Sequence, residues 1–340
     1  MEMYLYYILI FSTSVILSWG LSGLKPDSVL FISDSQTSRS LHTGTVSRSG
    51  GLAILVALMV SLAVYEGMYK NILLQLIPLL ALISYIDDRG HIKAIYRLAI
   101  HIIISVIFVL VWLSLSKTVS LNEYIWSIGY STAIRIIALS ILLSWAINLY
   151  NFMDGMDGFA GGMAVIGFGF MSVLLLMSNN YEDMQLALGV MLSVLGFLMY
   201  NFPPARIFMG DTGSTVIGFM MGVIILVSTE SGVPVYLGIL VFSPFIVDAT
   251  VTLLSRIMRR ERVWEPHRSH YYQRLVLLGW GHKKTVLLQY FLMFLCGISS
   301  VYAMTLHVWA QYYIIIMWII IYIGLAIAIQ KLERNSRQVS

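Results

Sequence analysis

Eleven apolar runs, each near the length of a bilayer crossing, leave this chain little freedom in how it folds. Their approximate limits are 3–24, 50–65, 71–86, 98–116, 132–150, 160–178, 186–201, 214–229, 234–255, 285–306 and 310–330. A helix of about 20 apolar residues spans the hydrocarbon core and satisfies its own backbone polar groups there. The composition agrees, with 59% hydrophobic and 11% charged residues among 340, against about 25% charged in soluble domains. The expected fold is all-α: a polytopic integral membrane protein, in place of the two soluble domains that length alone suggests. Because 50–65, 71–86 and 214–229 are short, the count is ten or eleven transmembrane helices. The first run, Tyr4 to Leu24, lacks a basic leading segment and a small-residue cleavage site, and reads as a retained span. The single Cys296 excludes an intramolecular disulfide and reads as core packing.

Basic residues set the orientation, since cytoplasmic loops carry the excess of Lys and Arg. With the N-terminus outside, the outer side holds only Lys70, Lys117 and Arg135, and the other 18 of 21 Lys and Arg fall opposite. The expected topology is N-terminus out and C-terminus cytoplasmic. The outer loops hold Glu66, Glu123, Glu182, Asp183 and Glu230. No internal repeat of the kind common in transporters is visible.

Polar clusters interrupt this pattern at the ends of the spans. Asp87-Asp88-Arg89 closes the third, with Arg97 beyond. Adjacent carboxylates repel, and a cation beside them resolves the conflict. A solvated loop satisfied by Arg89, Lys93 and Arg97 is the plainer alternative. Asn148-x-x-Asn151-x-x-Asp154-Gly-x-Asp157-Gly158 follows the fifth span. Asp154 and Asp157 share a face if the turn is helical, and Asn151 adds a neutral oxygen. A glycine-closed helix end accounts for one Gly and one Asn, but not for the whole set. Asn201-Phe-Pro-Pro-Ala-Arg206-Ile-Phe208-Met-Gly-Asp211-Thr-Gly-Ser214 follows the seventh span. Its prolines stop the helix, and its Asp, Thr and Ser suit either an N-cap or a site for Mg²⁺ and phosphate at a helix start.

Two further stretches are basic. The loop 256–284 is mostly positive-inside charge, but His267-Arg268-Ser269-His270 is compact. With no Cys and no third His nearby, phosphate contact fits it better than zinc. Arg48-Ser49-Gly50-Gly51 opens the second span, where Gly beside Arg can cradle a phosphate. His101 and Asp248 are polar groups within spans; Asp248 is either a structural ion pair or a contact to a carrier lipid. The Lys and Arg count puts all five clusters on one face. A site rich in carboxylate and Arg suits Mg²⁺ with a pyrophosphate-containing substrate.

These motifs, from about residue 42 to 274, resemble the polyprenyl-phosphate N-acetylhexosamine-1-phosphate transferases. That family includes undecaprenyl-phosphate GlcNAc-1-phosphate transferase and the phospho-MurNAc-pentapeptide translocase. The resemblance implies one transmembrane catalytic domain over 1–340, its site formed by cytoplasmic loops 25–49, 87–97, 151–159, 202–213 and 256–284. It further implies transfer of sugar 1-phosphate from a UDP-sugar to undecaprenyl phosphate, with release of UMP. Asn151 and Asp211 would contact Mg²⁺, with Mn²⁺ able to substitute. Asp87 would orient or deprotonate the lipid phosphate, and Asp88 would support the metal and pyrophosphate. Arg97 and Arg268 would hold phosphate oxygens, Asp154 and Asp157 would face the nucleotide, and Phe208 would stack on uracil. Arg48, Asn148, Asn201, His267 and His270 complete the expected substrate-binding set.

The partners implied are a UDP-N-acetylhexosamine, undecaprenyl phosphate and membrane lipids, with no nucleic acid and room for a homodimer. The implied location is the bacterial inner membrane. Two departures from the family pattern stand out. His267-Arg268-Ser269-His270 replaces three consecutive histidines of the phospho-MurNAc-pentapeptide branch, which points to the branch that starts O-antigen or related surface polysaccharides. Ser47-Arg48-Ser49-Gly50-Gly51 stands where the family has Pro-Arg-Gly-Gly-Gly. A transporter is the alternative from another class, but it calls for ionisable groups near the midplane.

Overall fold

The computed structural model describes residues 2–32, 46–90, 92–116, 130–262 and 267–339. The expected outer-loop residues Lys117 and Glu123, and parts of the loops 25–49, 87–97 and 256–284, lie outside them. The described residues form α1 (Glu2–Ser22), α2 (Gly50–Val64), α3 (Lys70–Gly90), α4 (Ala94–Leu115), α5 (Tyr130–Met153), α6 (Phe159–Met177) and α7 (Tyr181–Asn201). There follow α8 (Gly210–Ser228), α9 (Val235–Val241), α10 (Ser243–Met258), α11 (Tyr271–Leu275), α12 (Gly281–Met304) and α13 (Val308–Val339). The only extended pairing among them is one parallel bridge, Ser47 to Ile207.

Nine of these helices are long and apolar enough to cross a membrane, and the bent pair α9–α10 makes a tenth. The chain is a multi-pass membrane protein. Helix α2, at 15 residues, is apolar but shorter than those nine. Runs 71–86 and 214–229 looked short only because hydropathy falls where carboxylates begin. The helices continue through them, so α3 has 21 residues and α8 has 19. Most of the expected site loops are correspondingly shorter than the sequence suggested. Run 234–255 is not one straight span but breaks by 84° between α9 and α10. Pro244, in the first turn of α10, has no N–H to continue the ladder of α9. Ser243 Oγ donates to the Leu240 carbonyl at 2.7 Å at the bend.

Burial ranks the helices. In α8, 89% of the apolar window is buried; in α13 only 6% is, so most of its side chains point away from the bundle. Lipid gives helices little hydrophobic reason to associate, so close backbone approach matters more. At the crossing of α2 and α8, a Cβ on Gly51 would lie 2.4 Å from the Gly213 nitrogen. That contact sets the first turns of the two helices side by side. The end of α3, the starts of α4 and α8, and the end of α5 meet at the same end of the bundle. The last turns of α13 reach it too, where Glu333 accepts from Arg274. Cys296 is buried against Ser243 and Tyr322, as packing predicts.

Candidate active site

The site grows from four helix ends. Asp87 and Asp88 lie in the last turn of α3, Arg97 one turn into α4, and Asp211 at the second residue of α8. Arg97 Nη1 donates to Asp87 Oδ2 at 2.6 Å and to Asp211 Oδ2 at 3.1 Å, so one guanidinium nitrogen serves two carboxylates. The other Asp87 oxygen accepts from the Ile92 backbone N–H at 2.6 Å. Asn148 and Asn151, three residues apart on α5, share a face as helical spacing requires. Asn151 Nδ2 donates to Ser214 Oγ at 3.1 Å, and Asn151 and Asp211 line the same cavity. Asn148 pairs with His101 at 3.2 Å.

Asp88 has a different task. Its carboxylate accepts the backbone N–H of Asp211 and of Thr212, both at 2.9 Å, and the Thr212 hydroxyl at 2.7 Å. The residues of α8 itself do not cap its start; a carboxylate from α3 does, where the helix dipole favours negative charge. Gly210 permits this, with φ of +69° and space for no more than hydrogen: a Cβ would meet the Arg48 carbonyl at 2.7 Å and Asp88 Oδ2 at 3.0 Å.

Helix α5 stops at Met153, so Asp154 and Asp157 do not share a helical face as the sequence suggested. Asp157 turns to the Ala205 N–H at 3.1 Å and to His282 Nδ1 at 3.4 Å. Asp154 lies in the field of the acidic centre. Burial, with the Asp211 carboxylate second, pushes its carboxyl up to about 7, against the opposing pull of Arg48. Asn201 is buried and spends both amide atoms on the scaffold. Its oxygen accepts Gly158 N–H at 3.0 Å and its nitrogen donates to the Ile207 carbonyl at 2.9 Å, joining the two loops.

Arg48 and Phe208 are set side by side by a short backbone ladder. Phe208 N–H donates to the Ser47 carbonyl at 2.8 Å, and Gly50 N–H to the Phe208 carbonyl at 2.9 Å. The serines that stand in place of proline and glycine hold this loop. Ser47 and Ser49 hydroxyls pair at 2.8 Å, and Ser49 Oγ also donates to the Leu30 carbonyl.

The basic motif is placed by Asp248, which proves to be a structural partner. Its carboxylate takes His270 Nδ1 at 3.2 Å and the N–H groups of Tyr271 and Tyr272 at 3.0 and 3.2 Å, capping α11. His270 is buried beside it, His267 bonds Ser269 Oγ at 2.9 Å, and Arg268 is exposed. The Tyr272 ring packs on Phe159 at 4.5 Å between centroids, so the motif rests against the loop that carries Asp154 and Asp157.

A cavity of about 400 Å³ opens from this centre. Asp87, Arg97, Asn148, Asn151 and Asp211 line its polar end, and Ile83, Leu98, Ile102, Ile141, Trp145 and Leu253 its apolar walls. A charged end on an apolar trough suits an amphiphile with an anionic head.

Comparison with known proteins gives the same answer. Residues 70–229 match the family model described as glycosyl transferase family 4. The chain is 30% identical over 294 residues to decaprenyl-phosphate N-acetylglucosaminephosphotransferase of Mycolicibacterium smegmatis, covering 74% of this chain and 70% of that protein. The chain belongs to the polyprenyl-phosphate hexosamine-1-phosphate transferase family. It is also 28% identical over 300 residues to a probable undecaprenyl-phosphate N-acetylglucosaminyl 1-phosphate transferase of Bacillus subtilis, covering 84% and 81% of the two chains. A phospho-N-acetylmuramoyl-pentapeptide-transferase of Caldicellulosiruptor bescii is 28% identical over 253 residues, covering 70% and 76%.

The donor set of this transferase fits Mg²⁺. Among the described residues no three His, Cys, Asp or Glu side chains group closely enough to cage an ion. Mg²⁺ needs no such cage: one or two hard oxygen ligands suffice, with water and substrate phosphate completing the octahedron. Asp211 and Asn151, adjacent at the polar end of the cavity, offer that chemistry. Sequence reasoning about this transferase missed His282, Tyr290 and Glu333. Tyr290 donates to the Gly158 carbonyl at 2.6 Å, and His282 holds Asp157. No motif spacing marks these three residues: His282 and Tyr290 come from α12 and Glu333 from α13, both far along the chain from the loops they touch.

Proposed function

We propose that the protein transfers N-acetylhexosamine 1-phosphate from a UDP-sugar to undecaprenyl phosphate, releasing UMP. The observation that carries this reading is the Asp87–Arg97–Asp211 centre at the head of an apolar cavity. The cavity would take the first units of the polyprenyl chain, with its phosphate at Arg97. Asp87 orients that phosphate and accepts a proton from it at Oδ2. Asp88 keeps the start of α8, and with it Asp211, in place. Asp211 and Asn151 would hold Mg²⁺, which supplies charge neutralisation and orientation to an in-line phosphoryl transfer. Phe208 would stack on the base, Asp154 and Asp157 would border the nucleotide, and Arg48, Arg268 and His267 would draw the pyrophosphate. His270 and Asn201 act by holding the segments that carry those groups, and Asn148 lines the cavity where the lipid phosphate would sit.

The reading extends to a 6-deoxy-HexNAc or GlcNAc donor, on the cytoplasmic face of the bacterial inner membrane, in the first membrane step of O-antigen or related polysaccharide synthesis. Its support is the positive-inside count and the His267-Arg268-Ser269-His270 sequence. The test is purified protein with undecaprenyl phosphate and a panel of UDP-sugars that includes UDP-MurNAc-pentapeptide, with UMP release as readout. One UDP-HexNAc is expected to turn over, EDTA to stop it and Mg²⁺ to restore it. Turnover of the pentapeptide donor alone would move the protein to the peptidoglycan branch. No turnover of any donor would sink the reading.

A further inference from the structure

The basic motif cannot hold its own position. Helix α11 has five residues and runs into a π turn at Val276–Trp280, with Gly279 and Gly281 at φ of +88° and +68°. So short a helix is not self-supporting, and outside contacts must fix it. One is Asp248. A further one comes from the far end of the chain: Arg274 Nε and Nη2 donate to Glu333 Oε1 and Oε2, each at 2.6 Å. This fork-to-fork pair fixes angle as well as distance. It is sheltered, with Arg274 and Glu333 side chains 19% and 26% exposed, and the Arg274 guanidinium also lies 4.6 Å over the Tyr271 ring. Helix α13 has 32 residues, about 48 Å of helix against about 30 Å of hydrocarbon. Its last turns therefore stand clear of the membrane core at the end of the bundle that holds the site.

We propose that Glu333 is a positioning residue for donor binding: through Arg274 it sets α11, and so the His267-Arg268-Ser269-His270 segment, against the loop of Asp154 and Asp157. The inference rests on the reading of that segment as a donor-phosphate contact. A helix at the edge of the bundle would then contribute to the active site through its last turns alone.

The test uses the full chain in detergent and compares wild type, Glu333→Gln, Glu333→Asp and the swap Arg274→Glu/Glu333→Arg. For Glu333→Gln the KM for the UDP-sugar should rise about tenfold, as for a lost charge-assisted pair. The KM for undecaprenyl phosphate and the melting temperature should stay near wild type. Glu333→Asp and the swap should recover part of the donor KM. An unchanged donor KM, or equal losses in both KM values and in melting temperature, overturns the proposal. A wild type that turns over no donor sinks the functional reading instead. The positioning is then judged by hydrogen exchange of the backbone amides of 271–275. Faster exchange in Glu333→Gln, slowed again in the swap, supports it; unchanged exchange overturns it.

Discussion

The two ends of the helix bundle both gather carboxylates, and they treat them in opposite ways. At the far end, Tyr65 donates to Asp183 at 2.8 Å, Asn180 Nδ2 donates to the same carboxylate at 2.7 Å, and Tyr69 donates to Glu230 at 2.7 Å. Asp183 and Glu230 each have neutral donors of their own. At the site end, Asp87, Asp88, Asp154 and Asp211 are crowded, and Asp87 and Asp211 share one nitrogen of Arg97. A closed network stabilises a fold. A crowded one stays in electrostatic conflict until more positive charge arrives. The first kind of cluster is a structural clasp, and the second is equipped for chemistry on phosphates.

The comparison breaks most visibly at Asp211. Asp211→Asn should cut UMP release by at least about a hundredfold while the melting temperature holds or rises, because removing one charge relieves the crowding. Near-normal turnover would take the metal role away from Asp211. Next comes the basic motif: Arg268→Ala should lower activity about tenfold, and Lys283→Ala, on the exposed start of α12, far less. Equal losses would reduce the loop to general attraction for anionic lipid.

A pH series sharpens the same contrast. The carboxyl of Asp154 titrates near 7 in the fold and near its ordinary value when unfolded. The folded state then binds the extra proton, so stability falls as pH rises from about 4 to 7 and levels off above. Without divalent ions, Asp154→Asn should therefore melt above wild type by more at pH 8 than at pH 5, and Mg²⁺ should narrow the gap. A gap that does not depend on pH would show that Asp154 titrates normally. The smallest effect belongs to the far end. Tyr65→Phe should cost about 1 kcal/mol of stability, read by thermal unfolding, with kcat unchanged; a fall in kcat would mean that the two ends are coupled.

Apolar run length was enough to make this an all-helical membrane protein, because lipid forbids unpaired backbone and leaves one solution for such runs. Motif spacing was enough for the family, and the fold brings Asp87, Asn148, Asn151 and Asp211 from separate motifs to one cavity. Hydropathy misjudged the ends of α3 and α8, because a helix continues through carboxylates that find partners on other helices. It also read α9 and α10 as one span, since a window average does not register a missing N–H at Pro244. The sequence by itself determined which residue types were available and which ends of the spans carried them. Only the tertiary structure decided that Asp88 caps α8, that Asn201 staples two loops, that Asp248 holds His270 and that Glu333 reaches Arg274. Each of those contacts joins separate elements of the fold, and a linear pattern has no period that reports which distant side chain will satisfy a given polar group.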